Sequence, residues 1–239
     1  MKKICVVGAG RWGKNHIKTL NDLGCLGGIV DTEESALNKY SNWKNLFLYN
    51  DIQDAISEKY FDGFVVATPP KTHYQITKMI LNNDKHVLVE KPLTLKYEQS
   101  EKLVNLAIKK ELKLMVGHVL LFHPAIKKIK ELIVSGEIGD LQYIYSNRLN
   151  LGQVRSNENV FWSLAPHDIS IFQYLVDSFP DNIKVNGSIF LQKEIHDITI
   201  TQLKYPNSVE GHIFLSWIHP FKEHRIVVIG SNGMISFDD

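Results

Sequence analysis

The stretch from Ile4 to Asp31 constrains this chain more than any other. An apolar run, Ile4-Cys5-Val6-Val7, meets Gly8-Ala9-Gly10-Arg11-Trp12-Gly13, continues into Lys14-Asn15-His16-Ile17-Lys18-Thr19-Leu20 and arrives at Gly28-Ile29-Val30-Asp31. The order reads as strand, tight turn, helix, strand. In the G-x-G-x-x-G spacing the first glycine permits the turn, the second lets a pyrophosphate approach the backbone, and the third lets the helix pack on the strand. The helix turns its unpaired N–H groups and the positive end of its dipole toward the phosphates. Such a pattern is weak evidence in isolation. The apolar strand before it, the helix after it and an acid eighteen residues beyond Gly13 at the end of a second strand make it specific. A carboxylate at Asp31 accepts hydrogen bonds from a ribose diol and repels a 2′-phosphate, so the expected cofactor is NAD rather than NADP. Arg11 and Trp12 fall inside the turn, where Trp12 either leans on the cofactor or covers the helix.

The rest of the first half alternates strands and helices. Residues 32–37 read as an N-capped helix with acids in its first turn, Leu46-Phe47-Leu48 as a third strand, and a helix starts near Asp51. Phe64-Val65-Val66-Ala67 is too short for a helix and is stopped by Thr68-Pro69-Pro70, so it reads as a buried parallel strand opening into a loop. In open parallel sheets ligands lie beyond the carboxyl ends of the strands, which puts Thr68 and Pro69 beside the same cofactor as Gly10. Thr72 is expected to cap a helix running to about Asn83. The strand His86-Val87-Leu88-Val89 then brings Glu90-Lys91-Pro92 to that edge. A helix over about 96–110 and a strand over 112–116 complete a six-stranded nucleotide-binding domain.

Composition narrows the partners. With 239 residues, 44% hydrophobic and 22% charged, the chain can form one large domain or two modest ones. A net charge of +1 with scattered lysines gives no field for nucleic acid or an anionic membrane, so a small-molecule partner is expected. Cys5 and Cys25 form neither a disulfide framework nor a metal-ligand spacing, which fits a reducing cytoplasm and no metal. The opening Met1-Lys2-Lys3 and apolar run imitates a signal peptide until Arg11 and Trp12 interrupt it, and no stretch reaches the ~18 apolar residues of a membrane span.

From Leu141 the pattern changes to long β-rich runs, over 141–149, 183–191, 195–204, 209–217 and 225–229, interrupted by helices over about 124–135 and 163–178. Strands in succession without crossover helices predict a mostly antiparallel sheet and hence a second, α+β domain. The expected division is a Rossmann domain over 1–118 and a substrate-binding and oligomerisation domain over 119–239. One face of the second sheet must be covered and two helices are on hand, so a homo-oligomer built through that sheet is expected.

Val6-Val7-Gly8-Ala9-Gly10, Val66-Ala67-Thr68-Pro69-Pro70, Glu90-Lys91-Pro92 and Ala165-Pro166-His167-Asp168 together resemble the glucose-fructose oxidoreductase/inositol dehydrogenase (Gfo/Idh/MocA) family of NAD(P)-dependent sugar oxidoreductases, along essentially the whole chain. Within it, Gly117-His118, His123-Pro124-Ala125, Gly136-Glu137-Ile138-Gly139, Arg148-Leu149-Asn150 and the run from Trp162 to Asp168 are similar to nucleotide-sugar 3-dehydrogenases such as those acting on UDP-N-acetylglucosamine. The resemblance implies oxidation of a sugar C3 hydroxyl to a ketone, often so that a partner aminotransferase can install nitrogen there. It assigns Lys91 to substrate and nicotinamide and His167 to catalysis. The chemistry agrees. Oxidising a secondary alcohol needs a base for the hydroxyl proton and a cation or donor for developing alkoxide charge, and an imidazole with an ordinary pKa near ~6.5 suits the first task. Many members of the family carry an aspartate where this chain has Ser163, four residues before His167, and members normally continue through further strands and a returning helix where this chain ends. Arg148 and Arg155 offer guanidinium forks for a substrate diphosphate, whereas His16, His118 and His123 read as packing or capping groups. Two other readings stand beside this one: a homologue that binds NAD(H) without turnover, and a dehydrogenase of a free sugar or inositol, which would not need the arginines.

Overall fold

β1 (Ile4–Val7) lies at the centre of the first sheet of the computed structural model, which describes residues 2–152, 154–156 and 158–238. On one side it pairs with β2 (Leu26–Val30) and, beyond that, β3 (Phe47–Tyr49); on the other with β4 (Gly63–Val66), then β5 (His86–Val89) and β6 (Leu114–Val116). Every pairing is parallel. The crossovers carry α1 (Gly13–Asp22), α2 (Glu34–Leu37), α3 (Ile52–Ser57), α4 (Pro70–Asn82) and α5 (Tyr97–Lys109). Because the helices cover both faces, the central strands are apolar throughout, as the runs at 4–7 and 64–67 predict. Alternate residues feed two cores: Cys5, Val7, Phe64 and Val66 join one, while Val6 and Val65 join Ile17 and Ile29 in the other. Strand order reverses between β1 and β4, and that reversal opens a crevice at the carboxyl edge.

Two local expectations change. Thr72 does not cap α4, because the helix starts two residues earlier at Pro70, whose fixed φ suits the first helical position; the Thr72 hydroxyl instead meets Thr68 Oγ1 and donates to the Pro69 carbonyl, each at 2.8 Å. The helix expected over 32–37 shortens to a single turn from Glu34, with no side-chain cap.

Contacts divide the chain after Gly117. The second unit contains α6 (Pro124–Val134), β7 (Leu141–Leu151), α7 (Val160–Val176), β8 (Asn182–Ser188), β9 (Ile198–Lys204), β10 (Glu210–Ser216), β11 (Ile218–Gly230) and β12 (Met234–Asp238). Its sheet runs β12-β11-β7-β10-β9-β8. All pairs are antiparallel except β7 with β10, which is parallel because α7 and the β8–β9 hairpin intervene between them in the chain. Ile144, Leu203, Ile213, Leu215, Ile226 and Val228 face one core with Ile171, Phe172 and Leu175 of α7. The long strand β11 begins seven residues before the expected 225–229 and passes through a register shift between Ile218 and Glu223, so its first half does not alternate cleanly in sequence. β8 stops at Ser188 rather than running to 191, and β12 adds an edge strand. Among the described residues, no helix is long and apolar enough to cross a membrane.

Candidate cofactor and substrate site

The dinucleotide turn has the geometry its glycines predict. Gly8 leaves β1 at φ +96°, a conformation that side chains disfavour, and a Cβ there would meet the Ala67 carbonyl at 2.9 Å. A Cβ on Gly13 would run into the Gly8 carbonyl oxygen, so α1 lies against the strand only because residue 13 has no side chain. Around Gly10 a Cβ would meet no protein atom within 4 Å, which leaves the backbone open to a ligand. Arg11 and Trp12 are exposed at the turn, Trp12 by 47%. Asp31, at the end of β2, accepts the Ala9 amide on Oδ2 at 2.7 Å and the Glu33 amide on Oδ1 at 2.9 Å. Two fixed N–H donors thus orient the carboxylate, and each oxygen retains a lone pair for a ribose hydroxyl.

A cavity of about 350 Å³ opens along this edge, lined by Val7, Gly8, Gly10, Val30, Asp31, Thr68 and Pro69, together with Asn50, Asp51 and Ile52 after β3. The last three were not anticipated. A helix is expected to start near Asp51, and Asp51 caps it by accepting the Gln53 amide at 2.8 Å; that its loop also borders the cavity follows from β3 lying beside β2, a pairing between distant segments. The open backbone at Gly10, the oriented carboxylate and the room beside them fit NAD.

Farther along the same edge, Glu90 and Lys91 leave β5, both partly buried. Glu90 Oε1 lies 2.7 Å from His16 Nε2 of α1, and Oε2 accepts the Lys91 amide at 3.3 Å. A Cβ on Gly117 would press on this carboxylate at 3.2 Å, so the glycine makes room for it. His16, read in sequence as a packing or capping group, thus holds an acid at the cofactor edge, and His123 caps α6 by accepting the Ala125 amide at 3.2 Å. His73 was also missed. It is buried in the first turn of α4, with its two ring nitrogens 2.8 Å from the Thr68 and Pro92 carbonyl oxygens. The signal was a histidine on the helix face that also buries Thr77, Ile80 and Leu81.

In the second unit, Asn159 caps α7 by accepting the Trp162 amide at 3.0 Å, which starts the helix three residues before the expected Ser163. Ser163 is buried and His167, one turn later, is partly exposed. Pro166 sits inside the helix. Asp168 is fully buried and takes two bonds from Arg148, from Nε at 2.9 Å and Nη2 at 3.0 Å, and one from Ser146 Oγ at 2.7 Å. Arg148 is therefore no exposed fork: it is 7% accessible and commits two of its donors to Asp168. Arg155 is nearly half exposed, and its guanidinium pairs with Glu158 at 2.7 Å.

Comparison with known proteins agrees with this geometry. Residues 2–118 match the model of an oxidoreductase family with an NAD-binding Rossmann fold, and residues 126–236 match the GFO/IDH/MocA C-terminal domain. The chain is 25% identical over 251 residues to the myo-inositol 2-dehydrogenase of Thermotoga maritima, covering 99% of this chain and 75% of that one. It is also 25% identical to the UDP-N-acetylglucosamine 3-dehydrogenase of Acidithiobacillus ferrooxidans over 76% of this chain and 56% of that protein. In fold it is similar to the WlbA dehydrogenase of Bordetella pertussis, solved with NADH and UDP-GlcNAcA, with a TM-score of 0.91 at 19% identity over 100% of this chain and 79% of that one.

Proposed function

Because the chain belongs to the Gfo/Idh/MocA family of NAD-binding oxidoreductases, we propose that it oxidises a secondary hydroxyl of a sugar, at C3 of a UDP-N-acetylhexosamine, to the ketone. The observation that carries the reading is Lys91 at the carboxyl end of β5, on the same sheet edge as Gly10, Asp31 and Thr68. In this reading the backbone at Gly10 and the amino end of α1 bind the pyrophosphate, and the Asp31 carboxylate binds the adenosine ribose. When bound, NAD supplies a hydride acceptor. His167 takes the hydroxyl proton onto an imidazole nitrogen, and the Lys91 ammonium offsets charge on the oxygen as that proton leaves. Of the two arginines proposed for a substrate diphosphate, Arg155 is the exposed one, held by Glu158 at the surface. The 3-keto product is the substrate an aminotransferase needs.

The experiment is nicotinamide absorbance with purified protein offered UDP-N-acetylglucosamine, its uronic acid and free inositols. NADH formation with a nucleotide sugar is expected. Reduction with inositols alone would transfer the protein to the polyol dehydrogenases, and NAD binding with no reduction by any of them would make it a non-catalytic NAD(H)-binding homologue.

A second reading concerns assembly. The face of the second sheet opposite α7 carries Tyr143, Tyr145, His212 and Ile200, with Tyr145 stacked on His212 at 5.1 Å. We infer that a second copy of the chain covers this face in a homo-oligomer.

A further inference from the structure

The loops that follow β4 and β5 carry Thr68-Pro69 and Lys91, and one buried side chain spans them. His73 is 1% exposed. Its Nε2 lies 2.8 Å from the Thr68 carbonyl oxygen and its Nδ1 2.8 Å from the Pro92 carbonyl oxygen. A carbonyl oxygen only accepts, so each contact is a hydrogen bond only if the nitrogen facing it carries a proton. Neutral imidazole has one N–H and imidazolium has two. A neutral ring would aim one lone pair at a carbonyl oxygen 2.8 Å away, a repulsive contact that the burial of the ring leaves little solvent to relieve. Both separations are hydrogen-bond distances, so the geometry calls for a proton on each ring nitrogen.

We propose that His73 is a positioning residue that donates from both ring nitrogens and so fixes the Thr68 loop and the Lys91 loop at one spacing. The Thr68 end of the strut has a second tether, because Thr72, the neighbour of His73 in α4, joins Thr68 Oγ1 and the Pro69 carbonyl, each at 2.8 Å. One end of the strut is the cavity wall formed by Thr68 and Pro69; the other is the residue after Lys91. Loss of the ring releases both ends together. The part of this inference that concerns Lys91 rests on the proposed oxidation, whereas the part that concerns Thr68 rests on the cofactor alone.

The test has two arms. In ring-¹⁵N spectra of the unmodified protein, with the His73 ring signals assigned by through-bond correlation to its own backbone, both nitrogens are expected in the protonated range. A His73 nitrogen in the unprotonated range overturns the proposal, and this arm stands even if the variant does not fold. In folded His73→Leu, judged by its circular dichroism and melting, the Kd for NAD is expected to rise and kcat at saturating NAD to fall, each by about tenfold to 10²-fold, the scale of a small misplacement of reacting groups. KM for the sugar should move little. A folded variant that binds NAD and turns over like the parent overturns the proposal. If the parent oxidises no sugar, the proposed reaction fails while the ring spectrum and the NAD titration still decide the role of His73.

Discussion

Arg148 and Asp168 meet in a two-pronged ion pair that ties β7 to α7 beside His167, with both side chains buried. Removing one partner strands the other as an uncompensated buried charge, at a cost of about 3–5 kcal/mol. Asp168→Ala and Arg148→Ala are each expected to lower the melting midpoint by several degrees in a circular dichroism scan. Arg148→Met combined with Asp168→Leu should recover most of that loss, because an apolar pair needs no mutual compensation. A single variant that melts with the parent would show that the pair contributes nothing.

Asp31 sets cofactor choice. Its carboxylate, held by the amides of Ala9 and Glu33, accepts from a ribose diol and repels a 2′-phosphate. The protein is expected to prefer NAD, and Asp31→Ala to relax the preference. Equal affinities for NAD and NADP in the unmodified protein, by fluorescence titration, would refute the assignment.

The proposed acid–base roles predict that Lys91→Ala and His167→Ala each lower turnover by ~10²-fold or more, with NAD affinity nearly unchanged. Ser163 stands one helical turn before His167 in α7. An aspartate there would favour the imidazolium, so Ser163→Asp should move the acidic limb of the pH–rate profile to higher pH. An unmoved limb, or turnover that survives both alanine replacements, sends the search for the base elsewhere.

Asp197 makes the second unit sensitive to acid. Burial would push its carboxyl up, but the Leu191 and Phe190 amides, at 2.9 and 2.7 Å, and Trp217 Nε1, at 2.6 Å, outweigh burial and hold it below the ordinary carboxylate value. A carboxyl depressed in the folded state contributes its full stability above the unfolded value of ~3.9 and loses it as pH falls through the lower folded value. Urea midpoints should therefore fall below about pH 4, and Asp197→Asn should flatten that fall while destabilising the protein at pH 7 by about 1–3 kcal/mol. An unchanged acid slope in Asp197→Asn would contradict this.

Light scattering tests the assembly. With Tyr143, Tyr145 and His212 on an uncovered sheet face, the protein is expected to run as a dimer or larger, and Tyr145→Asp to shift it toward monomer; a clean monomer at working concentration would remove the inference.

The amino-acid sequence by itself determined the features whose physics is local. Gly8, Gly10, Gly13 and Asp31 lie within one strand-turn-helix-strand unit, so their spacing alone specified the turn, the cofactor and the parallel sheet around them. Runs such as Phe64-Val65-Val66 declared themselves buried because both faces of such a strand are apolar. Tertiary structure decided whatever depends on partners distant in the chain. The parallel pairing of β7 with β10 leaves no mark in either strand, and the register shift in β11 hid its first half by breaking the alternation that marks a strand. Arg148 looked like a free fork until the fold brought Asp168 under it. His16 read as a packing or capping group and His73 carried no reading, because their partners, Glu90 and the carbonyls of Thr68 and Pro92, reach them only once the helices dock on the sheet. A side chain's type is written in the chain, but what it bonds to is fixed only when folding removes the water that would otherwise satisfy it.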